Sequence, residues 1–524
     1  MTQPIPLPAP YAGVDQFSPF FELAQPNCEM AFNWNVSQVG TELRKGDDVL
    51  VYHSSLTNEK IQMLFSTSVS GTEELFMLTV DLAGTENFIR NAITGALVYS
   101  PGPGLWDQSG AVNTFNGVTY IYTADSSGGG IRPSIAYNGT TWAVGAYGGP
   151  LLPYCGTTYK NRHYIGEGSS YYYSPLFAIT GPMNSVSLAG LTAEKTNLSI
   201  IAPFTLADNV GSKSLLAFIM ENGEVLFFSG AYPDSPDWQL EGTGRIGNPL
   251  NNEAKISYQG DILVLCETGI ISLRNLFLKG EEEANVFSLD QRVEKAWRTQ
   301  IENFSSSLDD DQYVRGAWDR LRNKIFIMFQ VNHIDSDYGT YNGLFFVYDT
   351  LLKSWTFHNN SALAGDVDAL LVGLTTFEGK VVYGAQVDSA NGSKVTIYQK
   401  ETNTDFADRN LVDNANVGYT FDLISAPVAN GRAYVQRCAG MDFILSSDMY
   451  DRAEFSLISD FGRRVTAGQK VNVVGTGVEK PFVNMGIEGN FIQYRISGST
   501  ITGKTVGLKF YAANFWQENG ARPR

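Results

Sequence analysis

Four histidines, His53, His163, His333 and His358, are the groups in this chain best suited to move a proton near neutral pH. They lie far apart in sequence, but a Ser-His-Asp site assembles in space, so distance along the chain does not exclude one. The motifs that accompany such chemistry are missing: there is no GxSxG elbow and no HExxH. Carboxylates gather at Glu281-Glu282-Glu283 and Asp309-Asp310-Asp311. Glycoside cleavage needs two carboxyls at a defined separation, one with a raised pKa. Adjacent like charges in polar loops do not supply that, and neither run has the EF-hand pattern, so both read as solvated loops. Asp460-Phe461-Gly462 matches a kinase metal-binding tripeptide but stands without HRD or a glycine-rich loop. The glycine-rich stretch 126–133 lacks the lysine of a phosphate loop and reads as a turn. Cys28, Cys155, Cys266 and Cys438 offer no CxxC and no histidine at ligand spacing, so no zinc site is visible. Tyr171-Tyr172-Tyr173 could form an exposed aromatic patch for sugar stacking or a subunit contact; alternate tyrosines packed in a core are an equal reading. No residue is assigned as catalytic, cofactor-binding or metal-binding, and no cofactor is expected.

Composition points the same way. Charged residues are 17% of the 524, against about a quarter in ordinary soluble domains, while aromatics reach 12%. That balance, with abundant Gly and Tyr, predicts all-β structure with much surface buried against partners. The formal charge of −17 disfavours a protein that grips nucleic acid, since such affinity comes from Lys and Arg neutralising phosphates. It suits a wall that DNA must pass without sticking. The N-terminal residues lack the basic and apolar regions of a signal peptide, and no run of about eighteen apolar residues predicts a membrane span. Folding in a cytoplasm is expected.

The elements that would position any site are short strands. Residues 1–30 carry six prolines and read as an extended arm. Strands are expected at 47–55, 60–69, 74–82, 117–125, 133–147, 324–332, 343–358, 370–387 and 394–401, a spacing that suits a β-propeller over 31–401. Residues 215–273 hold four apolar runs broken by Asn222-Gly223, Gly260-Asp261 and Glu267-Thr268-Gly269, and read as the paired hairpins of one blade. Trp142, Trp238 and Trp355 each follow a turn or sit on a hairpin, which predicts one Trp per blade packed between blades. One inserted amphipathic helix is expected: Ser288 to Gln291 form a capping box, and Leu289, Val293, Ala296, Trp297 and Ile301 share a face. Residues 402–418 read as a linker, and 419–524 as a small β-sandwich-like domain of roughly six strands.

With these residues in hand, NGEVLFFSGAYPDSPDWQLEGTGRIGNPL followed by GDILVLCETGIISL resembles structural proteins of short-tailed, podovirus-like phages, the tail nozzle or hub family. GAWDRLRNKIFIMFQVN and FFVYDTLLKSWTFH are similar to a later hairpin of that family, and the resemblance covers about 113–400. The turn at Gly230-Ala231-Tyr232-Pro233 and Asp349 depart from the family pattern. The resemblance implies a virion structural protein, assembled in the host cytoplasm. It implies a homohexameric ring below the portal, bound to the head-to-tail adaptor and to other tail proteins such as fibres or a needle. Double-stranded DNA would pass transiently through an acidic ejection channel. The alternative is a receptor-binding or glycan-cleaving tail propeller. Against the cleaving form, the S-x-D-x-G-x-x-W boxes of sialidase-type propellers are absent, and residues 100–106 come nearest without the Asp.

Overall fold

Asn222-Gly223 does what its chemistry dictates: Gly223 takes φ +81°, and a Cβ there would lie 2.1 Å from the Ile246 carbonyl oxygen. The turn joins Gly211–Met220 to Glu224–Ser229 within a meander begun by Leu198–Asp208 and ended by Gln239–Arg245. The computed structural model describes residues 4–517 apart from 17–22, 104–110, 123–134, 281–292, 307–313, 361–368, 403–407, 410–415, 431–435, 447–452, 460–463, 471–477, 501–507 and some shorter stretches. It is an all-β β-propeller joined to a β-sandwich-like body.

Six sheets act as blades. The first runs Glu59–Val69, Thr72–Asp81, Glu86–Asn91, Leu97–Pro103, and the second Ala111–Phe115, Val118–Tyr122, Ile135–Tyr137, Trp142–Val144. The third is Cys155–Tyr159, Arg162–Glu167, Ser170–Tyr173, Asn184–Ser187, and the fourth is the meander above. The fifth has three strands, Lys255–Tyr258, Asp261–Cys266 and Gly269–Ser272, followed by helix α1, Leu273–Lys279. The closing blade joins Ala369–Phe377, Lys380–Ser389 and Gly392–Gln399 to Asp48–His53 from early in the chain, so the ring is fastened by distant segments. Between the fifth and closing blades stands a shared sector, Val314–Asp319, Lys324–Phe329, Leu344–Asp349, Ser354–Asn359. This sector is one end of a twelve-stranded sheet that continues through Asn27–Phe32, Thr420–Ser425, Phe491–Ser499 and Ala453–Ser459. A seven-stranded sheet, centred on Gln436–Ser446 and Lys509–Gln517, faces that far half. Phe443 and Phe510 meet Phe455 and Tyr494 in the core between them.

Several expectations need correction. Residues 215–273 form parts of two adjacent blades, because the long strand Leu198–Asp208 pairs with Gly211–Met220 and the 246–254 segment crosses to the next sheet. The arm and the start of the expected propeller belong to the C-terminal body. Ile5–Pro8 pairs with Lys509–Gln517, Asn27–Phe32 with Thr420–Ser425, and Gly40–Leu43 with Lys509–Gln517. Ile5–Pro8 lies on one side of its partner as an outermost strand, the place where proline's missing N–H costs no ladder bond. Within the expected linker, Asp408–Arg409 pairs with Asn416–Val417, and Asp408 is buried. The amphipathic helix is α2, Glu294–Ser306; Val293 and Trp297 are buried and Ala296 and Ile301 pack against the same core. Its capping box and Leu289 lie outside the described residues. Trp142 packs between the first and second blades and Trp238 between the third and fourth, whereas Trp355 joins the core shared with the sandwich.

Candidate functional site

The first strands of five sheets converge on an axial cavity of about 320 Å³, walled by Leu64 to Ser66, Val112 and Thr114, Glu253 with Lys255 to Ser257, Arg315 to Trp318 with Arg320, and Leu374 to Thr376. A second cavity of about 350 Å³ adjoins it toward the fourth blade and shares Ser257, Trp318 and Arg320. Local bonding holds these side chains in place. Asp319 accepts from the backbone N–H of Leu321 and Arg322 at 3.0 Å each and from Arg322 Nη1 at 2.6 Å, which fixes the turn that carries Arg320. Trp318 meets Tyr258 edge to face, centroids 5.1 Å apart, and the Arg320 guanidinium lies 5.3 Å from the indole centroid. The Trp318 indole N–H has no hydrogen-bond partner among the described residues.

Charge around the cavities runs against the whole-chain balance. Lys255, Arg315 and Arg320 line the first cavity together with Glu253, whose carboxylate is 4.0 Å from Lys255 Nζ. Asp261 lines the second cavity, but Ser272 Oγ and the N–H groups of Ile262 and Arg274 donate to it at 2.5, 2.8 and 3.0 Å. Burial raises its pKa and those three bonds oppose the rise.

A second polar cluster lies at the junction of propeller and sandwich. Arg44 grips Asp408 through two bonds of 2.9 and 2.8 Å, donates to Asn33 Oδ1 and the Asn359 carbonyl at 2.8 and 2.6 Å, and stacks on Tyr419. Asp47 accepts from Lys400 Nζ at 2.9 Å and Tyr383 at 2.5 Å. Burial opposes its ionisation, but Lys400 and Arg44 outweigh that and hold its carboxyl below the usual range. Glu401 is likewise buried, yet Lys324 at 2.7 Å and Asn35 bring it down to about 2. Arg44, Asp47 and Lys400 are wholly enclosed and acids match bases, so this cluster is a clamp between chain segments.

The residues singled out by sequence do not assemble into one site. His53 Nε2 bonds the Ala92 carbonyl at 2.8 Å, and His358 Nε2 the Trp34 carbonyl at 3.3 Å. His163 stacks among Phe115, Tyr120 and Tyr147, and burial pushes it down to about 3. The His333 side chain, both carboxylate runs, Asp460 to Gly462 and residues 126–133 lie outside the described residues. Tyr171 and Tyr173 are buried, so the alternate-tyrosine core is the reading that holds, with Tyr171 stacked on Phe218 at 4.4 Å. The four cysteines are buried and unbridged; burial raises the thiols of Cys155 and Cys438 to about 12. Among the described residues no His, Cys, Asp and Glu side chains group to hold a metal, and no helix is long and apolar enough to cross a membrane. Sequence reasoning missed the axial residues because Lys255 lies 63 and 65 positions before Trp318 and Arg320 and meets them only where the fifth blade packs against the shared sector.

No protein-family model and no curated protein matches the chain. Solved structures are similar to it only distantly. An exo-beta-1,3-galactanase from Phanerochaete chrysosporium is 9% identical at TM-score 0.25, covering 79% of this chain and 97% of that one. Raptor from Chaetomium thermophilum is 8% identical at 0.37, covering 68% and 29%. A quinohemoprotein alcohol dehydrogenase from Pseudomonas putida HK5 is 10% identical at 0.32, covering 63% and 66%. At such TM-scores the likenesses carry no functional information.

Proposed function

We propose that the chain is a virion structural protein, one subunit of a phage tail nozzle or hub ring whose central passage conducts DNA during ejection. One observation carries the reading: the residues behind the phage resemblance are those that shape the passage from one blade to the next. Ile246 N–H donates to the Gly223 carbonyl at 2.9 Å, and Pro249 bridges Cys266 of the following blade. A Cβ on Gly247 would lie 2.5 Å from Thr268 Oγ1. These are scaffold roles, which suit a protein whose work is to hold shape. Net acidity supports it too: a ring at −17 per copy repels a polyanion that must slide through. A closed ring needs a head-to-tail interface, and Leu176, Phe177, Ile179 and Leu191, exposed around the third blade, supply apolar surface for one.

Negative-stain images and mass photometry of the full chain, alone and with tail extract, test this reading. Closed rings of about six copies are expected. A chain that remains solitary inside its native particle sinks it. The axial cavity favours the receptor-binding form of the alternative; release of reducing sugar that is abolished by Glu253→Gln would establish the cleaving form instead.

A further inference from the structure

We infer that the axial cavity of the propeller binds an acidic saccharide, a pyranose ring bearing a carboxylate, with Trp318 as its stacking surface and Lys255 and Arg320 as partners of the anion. The site is internal to each subunit and stands or falls apart from the ring.

Size is the first argument. The two adjoining cavities of about 320 and 350 Å³ fall within the usual range for small-molecule sites, about 300–1,000 Å³. Charge is the second. In a chain of −17, Lys255, Arg315 and Arg320 outnumber Glu253 and Asp261 around the cavities, and Arg320 is an exposed cation beside Trp318. The third is shape. Tyr258 and Trp318 meet at 78°, which makes one aromatic wall and not the parallel slot that would clasp a flat base on both faces. A pyranose ring lays its C–H face on a single indole and turns its hydroxyls outward. Ser257 and Thr375 hydroxyls line the cavity there, and the Trp318 N–H still lacks a partner.

The walls are also set before any ligand arrives. First strands of five sheets supply them, and the Asp319 turn holds Arg320, so little ordering entropy is lost on binding. The arrangement holds a sugar without cutting it. Cleavage needs two carboxyls, and of the two nearby Asp261 is engaged by three hydrogen bonds within its own blade and helix α1.

Isothermal titration of the full chain with trigalacturonate, at fixed ionic strength, tests the inference, with maltotriose and inorganic phosphate as comparison probes. Trigalacturonate binds, maltotriose does not, and excess phosphate displaces the sugar only weakly. Arg320→Gln, on an exposed side chain, weakens binding about tenfold or more. Trp318→Ala weakens it by a similar factor, with an unchanged far-UV spectrum. The inference is overturned if folded wild type gives no binding at millimolar trigalacturonate. It is equally overturned if both variants bind like wild type, or if phosphate competes as well as the sugar, which would mark a generic anion site.

Discussion

Asp408 receives two bonds from Arg44 in a place that water does not reach. Removing its charge would leave the guanidinium buried with a weaker partner, a change that typically costs about 3–5 kcal/mol. Asp408→Asn is therefore expected to lower stability by roughly that amount in urea unfolding, where an effect below about 1 kcal/mol would show the pair to be dispensable. His163 carries a pH effect of definite sign. Its folded pKa, about 3, lies below the ordinary 6.5, so the unfolded chain binds the extra proton between those values. Its contribution is full above pH 6.5 and is lost as pH falls toward 3. His163→Phe should thus flatten the fall in melting temperature over that window; an unchanged profile would refute the assignment. Neither role was legible in the sequence. Asp408 sat in a polar stretch that reads as linker, and its partner is 364 residues away. The histidine's ring neighbours come from the second blade and from Tyr147, so only the packing of consecutive blades makes its surroundings apolar.

Elements were far more legible than sites. Period-2 alternation and turn chemistry place most strands because both are local: Asn138 and Asn222-Gly223 mark turns that the structure keeps. What alternation cannot say is which hairpin joins which sheet, hence the division of 215–273 between two blades. Helix α1 was missed although its ends are written plainly. Ser272 caps it, accepting from Asn275 N–H at 3.1 Å, and Gly280 ends it with its N–H on the Leu276 carbonyl. Seven residues with a buried Leu273 and Leu276 resemble an apolar strand when read alone. Ser272→Ala removes the cap and one donor to Asp261, and should cost about 1–2 kcal/mol in thermal unfolding. Hydrogen exchange should rise over residues 273–279 and stay unchanged in the second blade; a uniform rise would mean that the helix has no separate stability.

For the whole molecule, the propeller is built from an internal stretch of chain, whereas the sandwich body takes strands from both sides of it. Asn27–Phe32 lies between Ser354–Asn359 of the shared sector and Thr420–Ser425 of the sandwich, so it welds the two bodies through one continuous sheet. Deleting residues 1–32 is expected to open that sheet, and limited proteolysis should then cut within 420–517 while blades one to four resist. Resistance across 420–517 in the truncated chain would show that the early strands are accessory. Composition foretold the all-β class, and spacing the propeller. It could not foretell this interleaving, since strand partners so distant leave no local trace.

Ile5–Pro8 has one described neighbour in its ladder, Lys509–Gln517, which leaves the ribosome about 500 residues later. At about 5–20 residues per second the interval between the two is roughly 25–100 s. Through that time the early strands emerge with their hydrogen-bonding edges unmet, while blade after blade can fold behind them. A growing polysome of such chains would crowd many identical open edges together, so the yield of sound protein should depend on how fast the ribosome covers the distance between the two strands.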